Sequence, residues 1–167
     1  MRNERTMRPA SPDDVTAITA LAIDTGMFQS DELDGFGHQL SGFFEGRLDD
    51  HAWVVREDAD GVVIGAAYYA PEPFSDRVWN LYFIAVRPEH QATGAGGELI
   101  GHVEQALRQQ GEDVARVLIV ETSSLDEYAG ARAFYAKRGY EREAQIREFY
   151  GPGDHKIVFW KLLVDAA

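Results

Sequence analysis

The sequence predicts one mixed α/β domain over residues 1–167, with a central sheet of about six to seven strands flanked by about four helices. Three observations support this prediction. Some segments carry apolar residues at helical spacing, others carry continuous or alternating apolar runs, and a glycine-rich turn joins one apolar run to an amphipathic segment. With 167 residues and 45% hydrophobic content, the chain has the size of a single compact domain with a substantial core.

The first part of the chain predicts two helices. Ser11–Asp14 has the composition of a helix start, with a capping hydroxyl, a proline in the first turn and two acidic residues near the positive end of the helix dipole. Apolar residues then follow at helical spacing, and Gly26 is the predicted end of that helix. A second helical stretch is predicted from near Ser30 to about Leu48, where three glycines lower the intrinsic helix propensity.

The middle of the chain predicts a hairpin and then a buried strand. Ala52–Arg56 and Val62–Ala70 have strand composition, and Asp58–Gly61 between them is typical of a tight turn. Val78–Val86 is apolar on both faces, which is typical of a central strand covered on both sides.

The remaining elements alternate between helix and strand. Leucine, valine and alanine at helical spacing predict a helix over Ala95–Gln110, and Ala115–Glu121 predicts a further buried strand. A helix is predicted over Asp126–Arg138, stopped by a glycine. Tyr140–Phe149 and Lys156–Val164 are predicted to form a final pair of antiparallel strands.

Composition narrows the possible functions. The chain has no cysteine, which excludes disulfides, thiolate metal sites and an acyl-cysteine intermediate. The net charge of −12 argues against a nucleic-acid partner and favours cationic small molecules or basic peptides. The five histidines are scattered without the spacing of metal ligands, so we expect no metal site.

Neither end of the chain nor its interior predicts a membrane segment. No run reaches the ~18 apolar residues of a membrane span, and the first five residues lack the apolar stretch of a signal peptide. We therefore expect no membrane partner and a cytoplasmic location.

The turn from Gln91 to Gly97 is the strongest functional signal in the sequence. It places small residues where a helix begins, so several backbone N–H groups and the positive end of the helix dipole face one point, which favours a phosphate-bearing ligand. The spacing does not fit a dinucleotide fingerprint, because Leu99 stands in place of its third glycine. It does not fit a P-loop either, because no lysine follows the turn.

Two ordered motifs carry a family resemblance. Gln91, Gly94 and Gly96 fit the pattern Gln-x-x-Gly-x-Gly/Ala, and Ala131–Tyr140 fits Ala-x-x-φ-Tyr-x-x-x-Gly-Phe/Tyr at the expected distance behind it. In these motifs the chain resembles the GNAT superfamily of acyl-CoA-dependent N-acetyltransferases. Arg8–Asp14 is also similar to that family's first strand and helix, so the resemblance covers nearly the whole chain.

The resemblance implies the GNAT fold and acetyl-CoA as the acyl donor, without a metal. It implies that the pantetheine arm enters between the strands Val78–Val86 and Ala115–Glu121. Tyr128 stands where many members have an asparagine that contacts the pantetheine, so its phenol is expected to approach the cofactor or to line the acceptor site. The other cofactor-binding residues implied are Ile84, Ala85, Val86, Gln91, Ala92, Thr93, Gly94, Ala95, Gly96 and Gly97.

By the same resemblance, Tyr135 is the general acid. A phenol with a pKa of ~10 can protonate a departing thiolate whose conjugate acid has a pKa near ~8.5; the alternative role for Tyr135 is a core-packed ring. The general base is open between two residues. Asn80 stands where the histone-acetylating branch has a glutamate and can only position a water. Glu121, at the end of the neighbouring strand, is a carboxylate that is either the base or a solvated residue.

These observations lead to one main hypothesis and two alternatives. The main hypothesis is transfer of an acetyl group from acetyl-CoA to a small cationic primary amine by direct attack in a ternary complex. The first alternative is an acetyltransferase acting on a protein N-terminus or lysine. The second is a sensor that binds acyl-CoA and transfers nothing. The apolar final strand also makes a homodimer possible.

Overall fold

The computed structural model describes residues 7–26, 33–46 and 50–164. Within these ranges the chain forms seven strands and four α-helices, in agreement with the predicted mixed α/β class. The strands are β1 Met7–Pro9, β2 Ala52–Glu57, β3 Val63–Pro71, β4 Val78–Val86, β5 Val117–Ser123, β6 Glu141–Gly151 and β7 Asp154–Leu162. The α-helices are α1 Val15–Asp24, α2 Leu33–Phe44, α3 Ala95–Gln110 and α4 Ala129–Lys137.

The strands follow the order β1-β2-β3-β4-β5-β7-β6 in one sheet. β4 and β5 are parallel, whereas β1–β2, β2–β3, β5–β7 and β6–β7 are antiparallel. The chain divides into two compact units, and β4 contributes to both. The first unit comprises residues 1–70 and 83–105, and the second comprises residues 71–82 and 106–167.

The predicted bounds of the central elements are confirmed. β4 and α3 begin and end at the predicted residues. The helix predicted over Asp126–Arg138 instead begins with a 3-10 turn at Asp126–Tyr128 and becomes α-helical at Ala129. Residues 1–5 and the predicted ends of the second helix, near Ser30 and Leu48, lie outside the described residues.

An aromatic cluster forms part of the core of the first unit. The Trp53 ring stacks on Tyr68 with 4.8 Å between centroids, and Phe36 contacts Trp53 edge-on at 5.9 Å. Phe83, from the end of β4, lies 5.4 Å from the same indole. Burial of large aromatic rings in this way stabilises the packing of α2 against the sheet of this unit.

The start of α1 is fixed by a charged network. The Arg8 guanidinium donates to both carboxylate oxygens of Asp14 at 2.8 and 2.9 Å and to Glu57 at 2.7 Å. The backbone N–H of Ser11 donates to the Asp14 carboxylate at 2.7 Å. Asp14 is buried, and the Arg8 hydrogen bonds hold the pKa of this carboxyl below its usual range. The network ties β1 to the 3-10 turn that opens α1.

This network predicts a component of acid sensitivity. Because the pKa of Asp14 is lower in the folded state, its stabilisation is complete above the unfolded value of ~3.9 and is lost as the pH falls below it. Asp14→Asn is expected to lower the free energy of unfolding at pH 7 by about 1–3 kcal/mol. It should also flatten the dependence of stability on pH in the acidic range. Urea unfolding between pH 3 and 7 measures both, with the exposed Asp13→Asn as control. An Asp14→Asn protein with the wild-type pH dependence would contradict the assignment.

The second unit is organised around β5. β5 pairs with β7 from Val117–Leu162 to Ser123–Lys156, and with β4 over Val78–Leu81. The indole N–H of Trp79 donates to the Val114 carbonyl at 3.0 Å, which connects β4 to the segment before β5. β6 is the last strand in the sheet order, and its residues from 141 to 150 are exposed.

Candidate functional site

The glycine-rich loop of the first unit follows β4 and leads directly into α3. A 3-10 turn at Pro88–His90 comes after β4, and the Gln91 side-chain amide then donates to the Val86 carbonyl at 3.1 Å. This bond holds the first residue of the loop against the last residue of the strand. Ala92 and Gly94 both have left-handed backbone, with φ of 62° and 90°, so the chain reverses within a few residues.

Backbone donors without an intrahelical acceptor lie where this loop enters α3. The Glu98 N–H bonds to the Gly94 carbonyl at 3.0 Å, whereas the N–H groups of Ala95, Gly96 and Gly97 precede it and have no acceptor within the helix. The residues before them, Gln91 to Gly94, are exposed. Backbone donors at the positive end of a 16-residue helix favour the binding of an anion.

The other predicted cofactor residues of this unit lie at the end of β4. Ile84 is half-buried, and Ala85 and Val86 are buried. The Arg87 N–H donates to the Ile64 carbonyl at 2.8 Å, which fixes the exit of β4 against β3. The predicted role of Ile84–Val86, backbone contact with the pantetheine arm, stays a prediction.

In the second unit, the two candidates for the general base are in direct contact. Asn80 is 1% exposed, and its side-chain amide donates to Glu121 Oε1 at 3.2 Å and to Glu72 Oε2 at 3.1 Å. The Tyr82 hydroxyl donates to the same Glu72 oxygen at 2.6 Å. Lys156 Nζ lies 3.0 Å from Glu121 Oε2. We refer to these five residues, Glu72, Asn80, Tyr82, Glu121 and Lys156, as the Asn80 cluster.

One buried atom of the Asn80 cluster has no hydrogen-bond partner among the described residues. Asn80 Oδ1 is buried and accepts no hydrogen bond from any residue in the described ranges. A buried acceptor without a donor is uncommon in folded proteins, and Asn80 Oδ1 can accept a hydrogen bond from a donor that enters the cluster. The Lys156 ammonium, by contrast, has two partners. It pairs with Glu121 and lies over the Phe149 ring, 3.7 Å from the ring centroid.

Tyr135 lies on α4 and is almost fully buried, with 5% of its surface exposed. Its ring packs against Phe159 at 5.6 Å and against Tyr140 at 6.0 Å between centroids. Burial raises the pKa of its phenol above the usual value. The hydroxyl is therefore neutral at physiological pH, so it can donate a proton but does not act as a preformed base.

Two further tyrosines, Tyr128 and Tyr150, lie in the second unit. Tyr128 is half-buried at the end of the 3-10 turn before α4, and its N–H donates to the Leu125 carbonyl at 2.9 Å. Burial and the negative charges of Glu121 and Asp154 raise the pKa of Tyr150 to about 12. The negative field that raises this pKa also attracts cations.

Sequence reasoning missed three members of the Asn80 cluster: Glu72, Tyr82 as a hydrogen-bond donor, and Lys156. A signal for Tyr82 was available, because residues two apart on a strand share a face and Tyr82 follows Asn80 at this spacing. Glu72 lies between two prolines at the end of β3. A charged residue in such a segment is usually a solvent-exposed loop residue, so nothing in the sequence was a reason to select it. Among the described residues, no group of three or more side chains of metal-binding type is gathered at one point.

The comparisons with known proteins identify the family of this chain. The sequence matches the acetyltransferase (GNAT) family over residues 17–140. This chain belongs to the GNAT acetyltransferase family. A search of curated proteins finds no match. The membership confirms the predicted family, fold class and enzyme class.

Solved structures show the same fold. A GNAT-family protein from Desulfovibrio desulfuricans is 30% identical, with a TM-score of 0.85 over 95% of this chain and 99% of its own. A Salmonella typhimurium protein with its cofactor acetyl-CoA is 21% identical, with a TM-score of 0.79 over 98% and 96%. The ribosomal-protein-S18-alanine N-acetyltransferase from Escherichia coli is 18% identical, with a TM-score of 0.76 over 98% and 96%. In the described part of this GNAT protein, none of the helices has both the length and the apolar character needed to span a membrane.

Proposed function

We propose that this GNAT protein transfers an acetyl group from acetyl-CoA to the primary amine of a small cationic acceptor. The observation that carries the proposal is the Asn80 cluster. Its buried amide is held between the carboxylates of Glu72 and Glu121, which can bind an ammonium and remove its proton. The net charge of −12 also favours a cationic acceptor, because it attracts cations from farther away than the two carboxylates alone.

We assign the cofactor to the loop and the residues before it. The N–H groups of Ala95–Gly97 would bind the pyrophosphate, and the backbone of Ile84–Val86 would bind the pantetheine arm. Bound acetyl-CoA supplies the thioester whose acetyl group is transferred. A backbone N–H near Ala85 that faces the thioester oxygen would stabilise the negative charge that develops there, by about 3 kcal/mol.

Tyr135 is assigned the second proton transfer. In the transfer, a new bond joins the acceptor nitrogen to the acetyl carbon while the carbon–sulfur bond breaks. The sulfur leaves with the proton of the Tyr135 hydroxyl, and the phenolate regains a proton from water. The nitrogen gives up two protons, one to the base and one to water, so the products are the amide, the thiol and one net proton.

The absence of cysteine is in keeping with direct attack, because an acyl-cysteine intermediate cannot form. Initial rates at crossed concentrations of acetyl-CoA and acceptor test this part of the proposal. Intersecting double-reciprocal lines are expected for a ternary complex. Parallel lines, which indicate a covalent acyl-enzyme, would contradict it.

The acceptor class is tested by thiol release from acetyl-CoA against a panel of polyamines, aminoglycosides, amino acids and short basic peptides. We expect turnover with one class of small cationic amine. Turnover confined to the peptides would replace the proposal with a protein N-terminal or lysine acetyltransferase. Tight binding of acetyl-CoA without turnover on any acceptor would favour the sensor hypothesis.

A further inference from the structure

We propose that Glu72 is the residue that binds the acceptor ammonium and takes its proton, with Asn80 Oδ1 as the second contact. In this arrangement Glu121 is a positioning residue that holds Asn80. The inference rests on the proposed function and makes it more specific. It names a carboxylate that neither the sequence motifs nor the family resemblance indicated.

Glu72 and Glu121 differ in whether a neighbouring cation compensates their charge. Glu121 Oε2 lies 3.0 Å from the ammonium of Lys156, so the charge of Glu121 is already compensated by a largely buried cation. In the described ranges Glu72 makes no ion pair, and its hydrogen-bond partners there are the neutral donors Asn80 and Tyr82. An arriving ammonium is therefore attracted more strongly to Glu72 than to Glu121.

The hydrogen bonds within the Asn80 cluster also favour Glu72 as the residue that binds the ammonium. Both protons of the Asn80 side-chain amide are used, one on each carboxylate, which fixes the orientation of the amide. This orientation leaves Oδ1 as a buried acceptor with no donor among the described residues. An ammonium carries three donors and no acceptor, so it can satisfy Oδ1 and the remaining oxygen of Glu72 together.

The Tyr82 hydroxyl fixes the geometry of Glu72. It donates to Glu72 Oε2 at 2.6 Å, the same oxygen that accepts from Asn80, and so leaves Oε1 available for the acceptor. Tyr82 is 43% exposed and Glu72 is half-buried, so this side of the cluster lies near the protein surface. On proton transfer, the ammonium becomes a neutral amine and Glu72 a carboxylic acid, which returns the proton to water after the product leaves.

The test compares three glutamate variants on the best acceptor of the panel. Glu72→Gln is expected to lower kcat/KM for the amine at least about 100-fold, the usual size of a general-base contribution, with acetyl-CoA affinity unchanged. It should also remove the acidic limb of the pH profile of kcat/KM. Glu112→Gln, an exposed glutamate of the same unit outside the cluster, is the matched control and should behave as wild type.

Glu121→Gln separates the two roles. A positioning role predicts a smaller loss of kcat/KM with the acidic limb of the pH profile retained. The proposal is overturned if Glu72→Gln matches Glu112→Gln while Glu121→Gln loses the limb. If the wild type acetylates no amine, the proposed function is wrong. The role of Glu72 in binding the ammonium can then still be tested by calorimetric titration of the amine panel into the protein in the presence of CoA. Weaker binding by Glu72→Gln would support Glu72 as a cation site, and equal binding would overturn it.

Two milder variants keep the test decisive if Glu72→Gln does not fold. Glu72→Asp retains the charge but shortens the side chain, and Tyr82→Phe removes the hydroxyl donor to Glu72 Oε2. Both are expected to raise the KM of the amine several-fold without changing the affinity for acetyl-CoA. Wild-type values for both folded variants would overturn the proposal.

Discussion

Replacement of Tyr135 by phenylalanine is expected to lower kcat about 10²- to 10⁴-fold, the range of a general-acid contribution, while the affinity for acetyl-CoA is unchanged. The change removes one buried oxygen and preserves the ring that packs against Phe159. Steady-state rates with the best amine and calorimetric titration of acetyl-CoA measure the two quantities. Because burial raises the pKa of Tyr135, we also expect no alkaline limb from this group near pH ~10.

The neighbouring Tyr140 provides the matched control for this prediction. It is also buried, and its ring lies 6.0 Å from that of Tyr135, but we assign it no proton transfer. Tyr140→Phe should retain kcat within a few-fold of wild type. If both variants lose activity together, the effect belongs to packing in the second unit. If Tyr135→Phe retains the wild-type kcat, Tyr135 is a core residue and another group protonates the thiolate.

A branched side chain at position 65 is expected to lower the stability of the first unit. A Cβ on Gly65 would lie 2.9 Å from Leu99 Cδ1 and 3.2 Å from the Ala85 carbonyl oxygen. Gly65→Val adds two further methyl groups at this close approach of β3 to β4 and α3. Overpacking of this kind costs about 1–3 kcal/mol. Urea unfolding of wild type and variant measures the difference in the free energy of unfolding.

Gly130 is a control with the opposite expected sign. It lies in the first turn of α4, and a Cβ there would meet no atom within 4 Å. Gly130→Ala is therefore expected to leave stability unchanged or to raise it by up to about 1 kcal/mol, because alanine has less backbone freedom to lose on folding. A stable Gly65→Val protein, or an equal loss at both positions, would contradict the close approach seen at Gly65.

The sequence predicted the elements around the cofactor loop well for a physical reason. β4 and α3 are buried along one face or both, so their apolar patterns are strong, and the glycines mark the turn between them locally. β1 is only three residues long and carries no pattern of its own, so only the family resemblance indicated it. β6 is exposed along residues 141–150, so its strand pattern did not reflect burial.

Sequence reasoning could identify residues of the candidate site within single segments, but not the contacts between segments. Asn80 was identified because it stands at the position of the glutamate of the histone-acetylating branch. Glu121 was identified by its place at the end of a strand. Their contact through one amide depends on the parallel register of β4 and β5, which pairs Asn80 with Ile119 and Leu81 with Val120. Glu72 and Lys156 come from other strands, and no local pattern connects them to Asn80. Long-range pairing of this kind is a property of the fold, not of any single segment.

The most direct test of the proposed activity is the mass of the acceptor after incubation with acetyl-CoA and the wild-type protein. The account predicts an amine heavier by one acetyl group, formed in the same amount as free CoA and only in the presence of protein. Free CoA formed without an acetylated amine would indicate thioester hydrolysis. That result, or bound acetyl-CoA that stays intact with every amine of the panel, would contradict acetyl transfer to a small cationic acceptor.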